Sequence, residues 1–242
     1  MTRARRRAFY LTGIAVLGAA ALGVAAIRSP KPKPAPNDSS RPTLLLLTSL
    51  PLLFSEEFGL QGGGSPALSA LQSRYKVAPI SVADGAELAK GRLLLMAQPQ
   101  AQTPENLVVL DQWVRRGGRL LLLADPLLEW PSKRPLGDLT RPPPMFPDTG
   151  LLAHWGLTLD APDQRGTAER ALGGQQILTV SPGALRGRCA IAPDRLVADC
   201  RIGAGRVIVV GDADFLDVDR LDDDAARNLD ALIAELANLQ RS

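Results

Sequence analysis

The densest set of reactive side chains is an aspartate run near the C-terminus. Asp212, Asp214, Asp217, Asp219, Asp222, Asp223 and Asp224 place seven carboxylates in thirteen positions. Asp212 and Asp214 directly follow an apolar run, residues 206–210, that reads as a core strand. They therefore fall at the carboxyl edge, where open α/β sheets bind ligands. Such a set can hold a divalent cation. The spacing is not that of an EF-hand, because Leu216 stands at the third ligand position, no glycine follows it and no glutamate closes the loop. The competing reading is structural: residues 222–224 open a helix, whose dipole favours negative charge, and Asp212 can cap a turn. Asp125 ends a second apolar run, and Glu56 and Glu57 lie in the loop after a first one, so the same edge gathers these three as ligand candidates.

Nucleophilic chemistry has less support. Cys189 and Cys200 sit in an irregular later segment, and neither stands in a Gly-x-Cys-x-Gly elbow. The single histidine, His154, sits in Ala-His-Trp-Gly near a helix end, where capping or packing is the ordinary role of such a residue. No catalytic residue is assigned. The two cysteines lie eleven positions apart on two expected neighbouring strands joined by residues 192–195, a register that lets them face each other. In an oxidising compartment they form a disulfide; the alternative is two separate buried thiols. Gly62, Gly63 and Gly64 precede a helix, but without the lysine of a P-loop or a dinucleotide fingerprint they read as a flexible loop.

The elements that must position these groups alternate along the chain. Residues 43–48 (TLLLLT), 92–97 (RLLLMA) and 119–124 (RLLLLA) are short apolar runs suited to strands buried on both faces. Residues 75–82 alternate as a strand does, and residues 65–74 suit a helix with proline in its first turn. Thr103-Pro104-Glu105 starts a second helix, with Thr103 as N-cap, and Gly117-Gly118 ends it. Leu107, Leu110, Trp113 and Val114 share one face of that helix, which should pack on residues 93–95 and 120–123, while Asp111 should face water. Residues 126–147 hold seven prolines and read as a long surface loop. A short helix and strand follow over 150–159, then shorter antiparallel strands over 176–180, 188–191 and 196–202. Residues 206–210 form the last core strand, and 222–239 an amphipathic helix. This alternation predicts a mostly parallel α/β sheet with helices on both faces and a small antiparallel excursion.

Composition narrows the function classes. A chain of 242 residues at 45% hydrophobic and 22% charged can bury a core. Two cysteines and one histidine exclude a Cys-built zinc site and any site needing two imidazoles, and 4% aromatics give no stacking platform for single-stranded nucleic acid. The basic balance is local. From Arg41 onward there are 21 basic and 24 acidic residues, so the body carries about −3 and no nucleic-acid partner is expected. Arg3, Arg5, Arg6 and Arg7 precede 20 uncharged residues, 8–27, which Arg28 closes. That length crosses a bilayer core of ~30 Å, and the flanking charge keeps the N-terminus in the cytoplasm. Residues 1–28 are read as a transmembrane anchor or a cleaved signal, by the general or the twin-arginine route. Residues 29–42 are an extended Pro/Lys/Ser linker and 43–242 a single α/β domain. The expected location is the inner membrane, single-pass, with the body in the periplasm.

The stretch Leu93 to Pro126 (LLLMAQPQAQTPENLVVLDQWVRRGGRLLLLADP) resembles the auxiliary domain of uncharacterised ABC-type transport systems, shared with gliding-motility-associated and intraflagellar-transport-like proteins. Its pattern is an apolar strand, a Pro-Glu loop, a helix ending in Gly-Gly-Arg, a second apolar strand and Asp-Pro. Residues 205–212 (GRVIVVGD) resemble its closing strand. The resemblance implies a flavodoxin-like sheet of the class I glutamine amidotransferase kind, and ABC transporter subunits as membrane partners. A working amidotransferase carries a cysteine on a strained turn after a strand. Here that strand runs into Asp125-Pro126, and no cofactor is expected. The function expected is therefore a membrane-anchored, extracytoplasmic, non-catalytic binding or scaffolding domain. The alternative is a periplasmic metal-assisted hydrolase or sugar-binding enzyme using the acidic edge at Asp212 and Asp214.

Overall fold

Leucine and valine runs bounded by polar residues become the strands of the sheet, because a run of five apolar side chains can be buried only where both faces are covered. The computed structural model describes residues 41–53, 64–135, 137–221 and 224–241, all within one compact unit. In chain order the first half reads β1 (Thr43–Thr48), α1 (Pro66–Arg74), β2 (Lys76–Pro79), α2 (Gly85–Leu88), β3 (Leu93–Ala97), α3 (Pro104–Arg115) and β4 (Arg119–Leu123). The second half reads α4 (Leu151–His154), β5 (Leu157–Asp160), β6 (Thr167–Leu172), β7 (Gln175–Val180), β8 (Ala184–Gly187), β9 (Ala190–Ile191), β10 (Val197–Ile202), β11 (Gly205–Val210), α5 (Val218–Leu221) and α6 (Ala225–Arg241).

Seven strands form the main sheet in the order β2-β1-β3-β4-β11-β10-β9. The first five are parallel, whereas β10 and β9 add antiparallel at the edge. The expected mostly parallel α/β sheet with an antiparallel excursion is therefore observed. The hairpin β6–β7 and the pair β5–β8 lie outside the main sheet.

Successive side chains of a strand point to opposite faces, so each leucine run feeds two cores. Leu44, Leu46, Leu95, Leu121, Leu123 and Val210 pack with Leu71 of α1 and Leu229, Leu232, Leu236 and Leu239 of α6. Leu45, Leu94, Met96, Leu120, Leu122 and Val209 pack with Leu110 and Val114 of α3 and with Leu151 and Leu152 of α4. The α3 face thus meets only alternate residues of 93–95 and 120–123. Thr103 caps α3 by accepting from the Asn106 N–H at 3.3 Å. Gly117, at φ +102°, lets the chain turn back so that its N–H reaches the Val114 carbonyl at 2.8 Å.

Three expectations are corrected. The strand expected over 75–82 spans only Lys76–Pro79, since β2 is an edge strand paired with β1 alone and ends at a proline. Cys189 lies in a bend just before β9 rather than within a strand, yet it is bonded to Cys200 as the spacing implied. Asp111 does not face open water. Its side chain is 15% exposed; Oδ1 accepts from Trp155 Nε1 at 2.9 Å and Oδ2 from Arg115 Nε at 2.7 Å. It joins α3 to the end of α4, a contact between helices that helical periodicity alone does not reveal.

Among the described residues no helix is long and apolar enough to cross a membrane. The apolar run 8–27 and the linker 29–40 lie outside those residues.

Leu110→Ala should destabilise the fold by ~2–5 kcal/mol in chemical denaturation, through lost transfer energy and the cavity left in a fully buried site. Asp111→Ala should cost less, about 1–2 kcal/mol, because Trp155 Nε1 loses its acceptor. Equal costs would contradict the packing described.

Candidate functional site

Every central strand ends on a polar residue at the same edge. Ser49 follows β1, Gln98 follows β3, Asp125 follows β4 and Asp212 follows β11. Because β1, β3, β4 and β11 are parallel and adjacent, these residues line up across the carboxyl end of the sheet. The structure brings together three of the carboxylates proposed from sequence, Asp125, Asp212 and Asp214, all buried. Glu56 and Glu57 lie outside the described residues.

Asp125 is held from both ends. Its Oδ1 accepts from the Leu127 N–H at 2.8 Å and its Oδ2 from the Ala213 N–H at 2.9 Å, which ties the segment after β4 to the segment after β11. Its backbone is clamped by the Gln98 amide: Oε1 accepts from Asp125 N at 2.9 Å and Nε2 donates to Asp125 O at 3.2 Å. Asp212 Oδ1 accepts from Thr179 Oγ1 of β7 and from the Phe215 N–H, so it caps the turn Asp214–Leu216. Asp214 Oδ2 accepts from the Glu129 N–H at 2.8 Å. Asp212 Oδ2 and Asp214 Oδ1 are shielded from water and have no hydrogen-bond partner among the described residues.

The electrostatics follow from this burial. Desolvation pushes Asp125 up to about 6, against the N–H groups that favour its ionised form. Asp214 is pushed up to about 7 by burial, with the Asp125 charge adding to it. Burial and then Asp125 push Asp212 well above the ordinary carboxylate range. Three carboxyls so close cannot all ionise, and the cluster retains protons near neutrality. Glu129, at the rim, behaves oppositely. Ser181 Oγ donates to its Oε1 at 2.6 Å and Arg220 Nη2 donates to its Oε2 at 3.2 Å, and these bonds hold it below the usual range.

The proline-rich segment after Asp125 lies strapped across this edge. Phe146 N donates to Asp125 O at 2.6 Å, Gln98 Nε2 to Pro143 O at 3.0 Å and Leu128 N to Pro144 O at 2.9 Å. Gly183 permits the close approach beneath the strap, because a Cβ there would lie 2.5 Å from Pro126 Cγ. Among the described residues, two of the three non-glycine positions with positive φ, Gln98 (42°) and Ser181 (49°), border the same cluster, where tertiary contacts hold the strain.

Sequence reasoning missed Gln98, Glu129, Thr179, Ser181, Arg220 and Asn228. Only Gln98 carried a signal, as the polar residue ending a leucine run. Asn228 of α6 donates to the Leu178 and Phe215 carbonyls at 2.7 and 2.9 Å and thereby joins the helix to the turn below the cluster. His154 ends α4, with Nε2 3.3 Å from Asp111 Oδ1, remote in sequence from the edge residues. Among the described residues, no three His, Cys, Asp or Glu side chains are grouped to hold a metal ion.

Raised carboxyl pKa values have a definite sign. Between about pH 4 and 7 the unfolded chain loses protons that the folded cluster keeps, so stability should fall as pH rises through that window. Asp214→Asn should flatten this slope and raise stability at about pH 7.5 by ~1–3 kcal/mol. Thermal unfolding across this pH range checks it; stability that climbs with pH in the wild type would contradict the cluster's protonation.

No curated protein matches the chain. Among solved structures, Cytoplasmic Protein STM3548 from Salmonella typhimurium aligns at a TM-score of 0.51 with 10% identity, over 81% of this chain and 98% of that one, a likeness of fold alone. Exo-beta-1,4-mannosidase Op5Man5 from Opitutaceae bacterium strain TAV5 aligns at 0.48 with 16% identity, over 82% of this chain. The beta-galactosidase from Rahnella sp. R3 aligns at 0.46 with 13% identity, over 83% of this chain. The chain spans only 36% and 31% of those two glycosidases. The family model described as ABC-type uncharacterized transport system matches residues 41–162, half of the sequence and the part that builds β1 to β5. By that match the chain belongs to the family of ABC-type uncharacterized transport system auxiliary domains.

Proposed function

We propose that this protein is a non-catalytic binding or scaffolding subunit of an ABC-type transport system, anchored in the inner membrane with its α/β body in the periplasm. The observation that carries the reading is the filled ligand edge. Where α/β sheets of this order leave a crevice, this chain places three buried carboxyls bonded to its own backbone and straps the segments 127–129 and 143–146 over them. A general acid or base must reach its substrate, and these groups reach only the protein.

Further observations support the reading. The family match names a transport system. The order of the parallel strands, β2-β1-β3-β4-β11, is that of a flavodoxin-like sheet, in keeping with an amidotransferase-like ancestry. At the strand end where such an enzyme carries its nucleophile stands Asp125-Pro126. The disulfide Cys189–Cys200 suits an oxidising compartment, and the arginine-flanked apolar run 8–27 suits a single-pass anchor.

A phosphatase that folds only outside the cytoplasm, fused after Asn37, should be active, and a reporter confined to cytoplasmic folding should be silent at the same junction. Carbonate washing should leave the chain in the membrane, and affinity purification from mild detergent should bring down ABC permease and ATPase subunits. A cytoplasmic fusion profile, or a body released by carbonate without transporter subunits, would overturn the proposal.

A further inference from the structure

Between β6 and the turns before β8 and β10 lies a cavity of about 450 Å3, within the range of small-molecule sites. Its walls come from the segment after β5, from β6 and from the turns before β8 and β10. Asp125, Asp212 and Asp214 do not line it, and arginines stand where that cluster has carboxyls.

Three guanidinium groups line it: Arg165, Arg170 and Arg195. Two carboxylates also line it, and both are already committed. Asp194 accepts from the Ala171 N–H through Oδ2 at 2.9 Å and from the Leu196 N–H through Oδ1 at 3.2 Å, which builds the turn. Asp163 pairs with Arg195 at 2.8 Å. Among the described residues, neither Arg165 nor Arg170 has a hydrogen bond to a carboxylate. Arg165 lowers Glu129 through its charge, but the Glu129 oxygens are held by Ser181 and Arg220. Arg170 spends Nη1 on the Glu169 carbonyl at 2.8 Å, while its Nε–H is shielded from water and has no acceptor.

A guanidinium fork is built for two-point contact with carboxylate or phosphate. The remaining lining at Gln164 and Thr167 offers amide and hydroxyl groups to a hydroxylated ligand body. We infer that this cavity is a binding site for a small hydroxylated oxyanion, a carboxylate or a phosphate, held by Arg165 and Arg170.

Titration calorimetry on the full chain, with galacturonate, inorganic phosphate and galactose as separate probes, tests the site. One or both anions should bind, more weakly as salt is raised, and galactose should bind at least about tenfold more weakly. Arg165→Gln and Arg170→Gln should each reduce anion affinity by at least about tenfold, while Arg186→Gln, at an arginine paired with Asp160 outside the cavity, should change it by less than about twofold. Which anion binds decides between carboxylate and phosphate. If Arg170→Gln fails to fold, the exposed Arg165→Gln decides the matter alone. Absence of binding by both anions at about 10 mM, equal binding of galactose, or unchanged affinity in Arg165→Gln would overturn the inference.

Discussion

A carboxyl taken out of water must either find donors or keep its proton, and at the end of β4 and β11 three of them meet this choice together. Asp125 finds donors: the N–H groups of Leu127 and Ala213 hold its two oxygens. Asp212 and Asp214 each find donors for one oxygen and leave the other shielded and unmatched. The proton is then the remaining partner. This constraint turns the edge of the sheet, ordinarily the open face of an α/β protein, into a sealed junction between the segments that leave the two central strands.

The sealing reaches outward. Asp214 orients Glu129 through its backbone, and Glu129 in turn gathers Ser181 and Arg220. Asp212 draws in Thr179 of β7, and Asn228 holds both β7 and the turn after Asp212 against α6. Gln98 clamps Asp125 and the strap together from the end of β3. The β6–β7 hairpin and the proline-rich strap are therefore tied to the parallel sheet through its acidic edge. Removing a single acceptor there would leave buried donors unpaired on several elements at once.

Much of the sheet was legible because burial on two faces demands continuous apolar runs, and TLLLLT, LLLMA, RLLLL and RVIVV satisfy that demand without ambiguity. The cap of α3 was legible for the same local reason, since Thr103 followed by proline has one economical conformation. The hairpin strand β6 was not, because TAERAL is polar and half-exposed and resembles a loop until β7 pairs with it. Asp125, Asp212 and Asp214 were singled out from their places after strands. Their shared burial depends on a strap far from β11 in the chain, and no local pattern encodes it. Asp111 was misread for a related reason: a carboxylate on the polar side of α3 became an internal acceptor once α4 packed against it.

The protonation of the edge cluster can be read directly. Carbon-13 NMR of the aspartate side-chain carboxyls of the full chain, titrated between about pH 3 and 9, should show carboxyls titrating at about 6 and about 7, assigned by their loss in Asp125→Asn and Asp214→Asn. The Asp212 carboxyl should likewise titrate well above the ordinary value of 3.8. Every aspartate titrating near 3.8 would mean that the edge is solvated and open, and the sealed junction on which the non-catalytic reading rests would be contradicted.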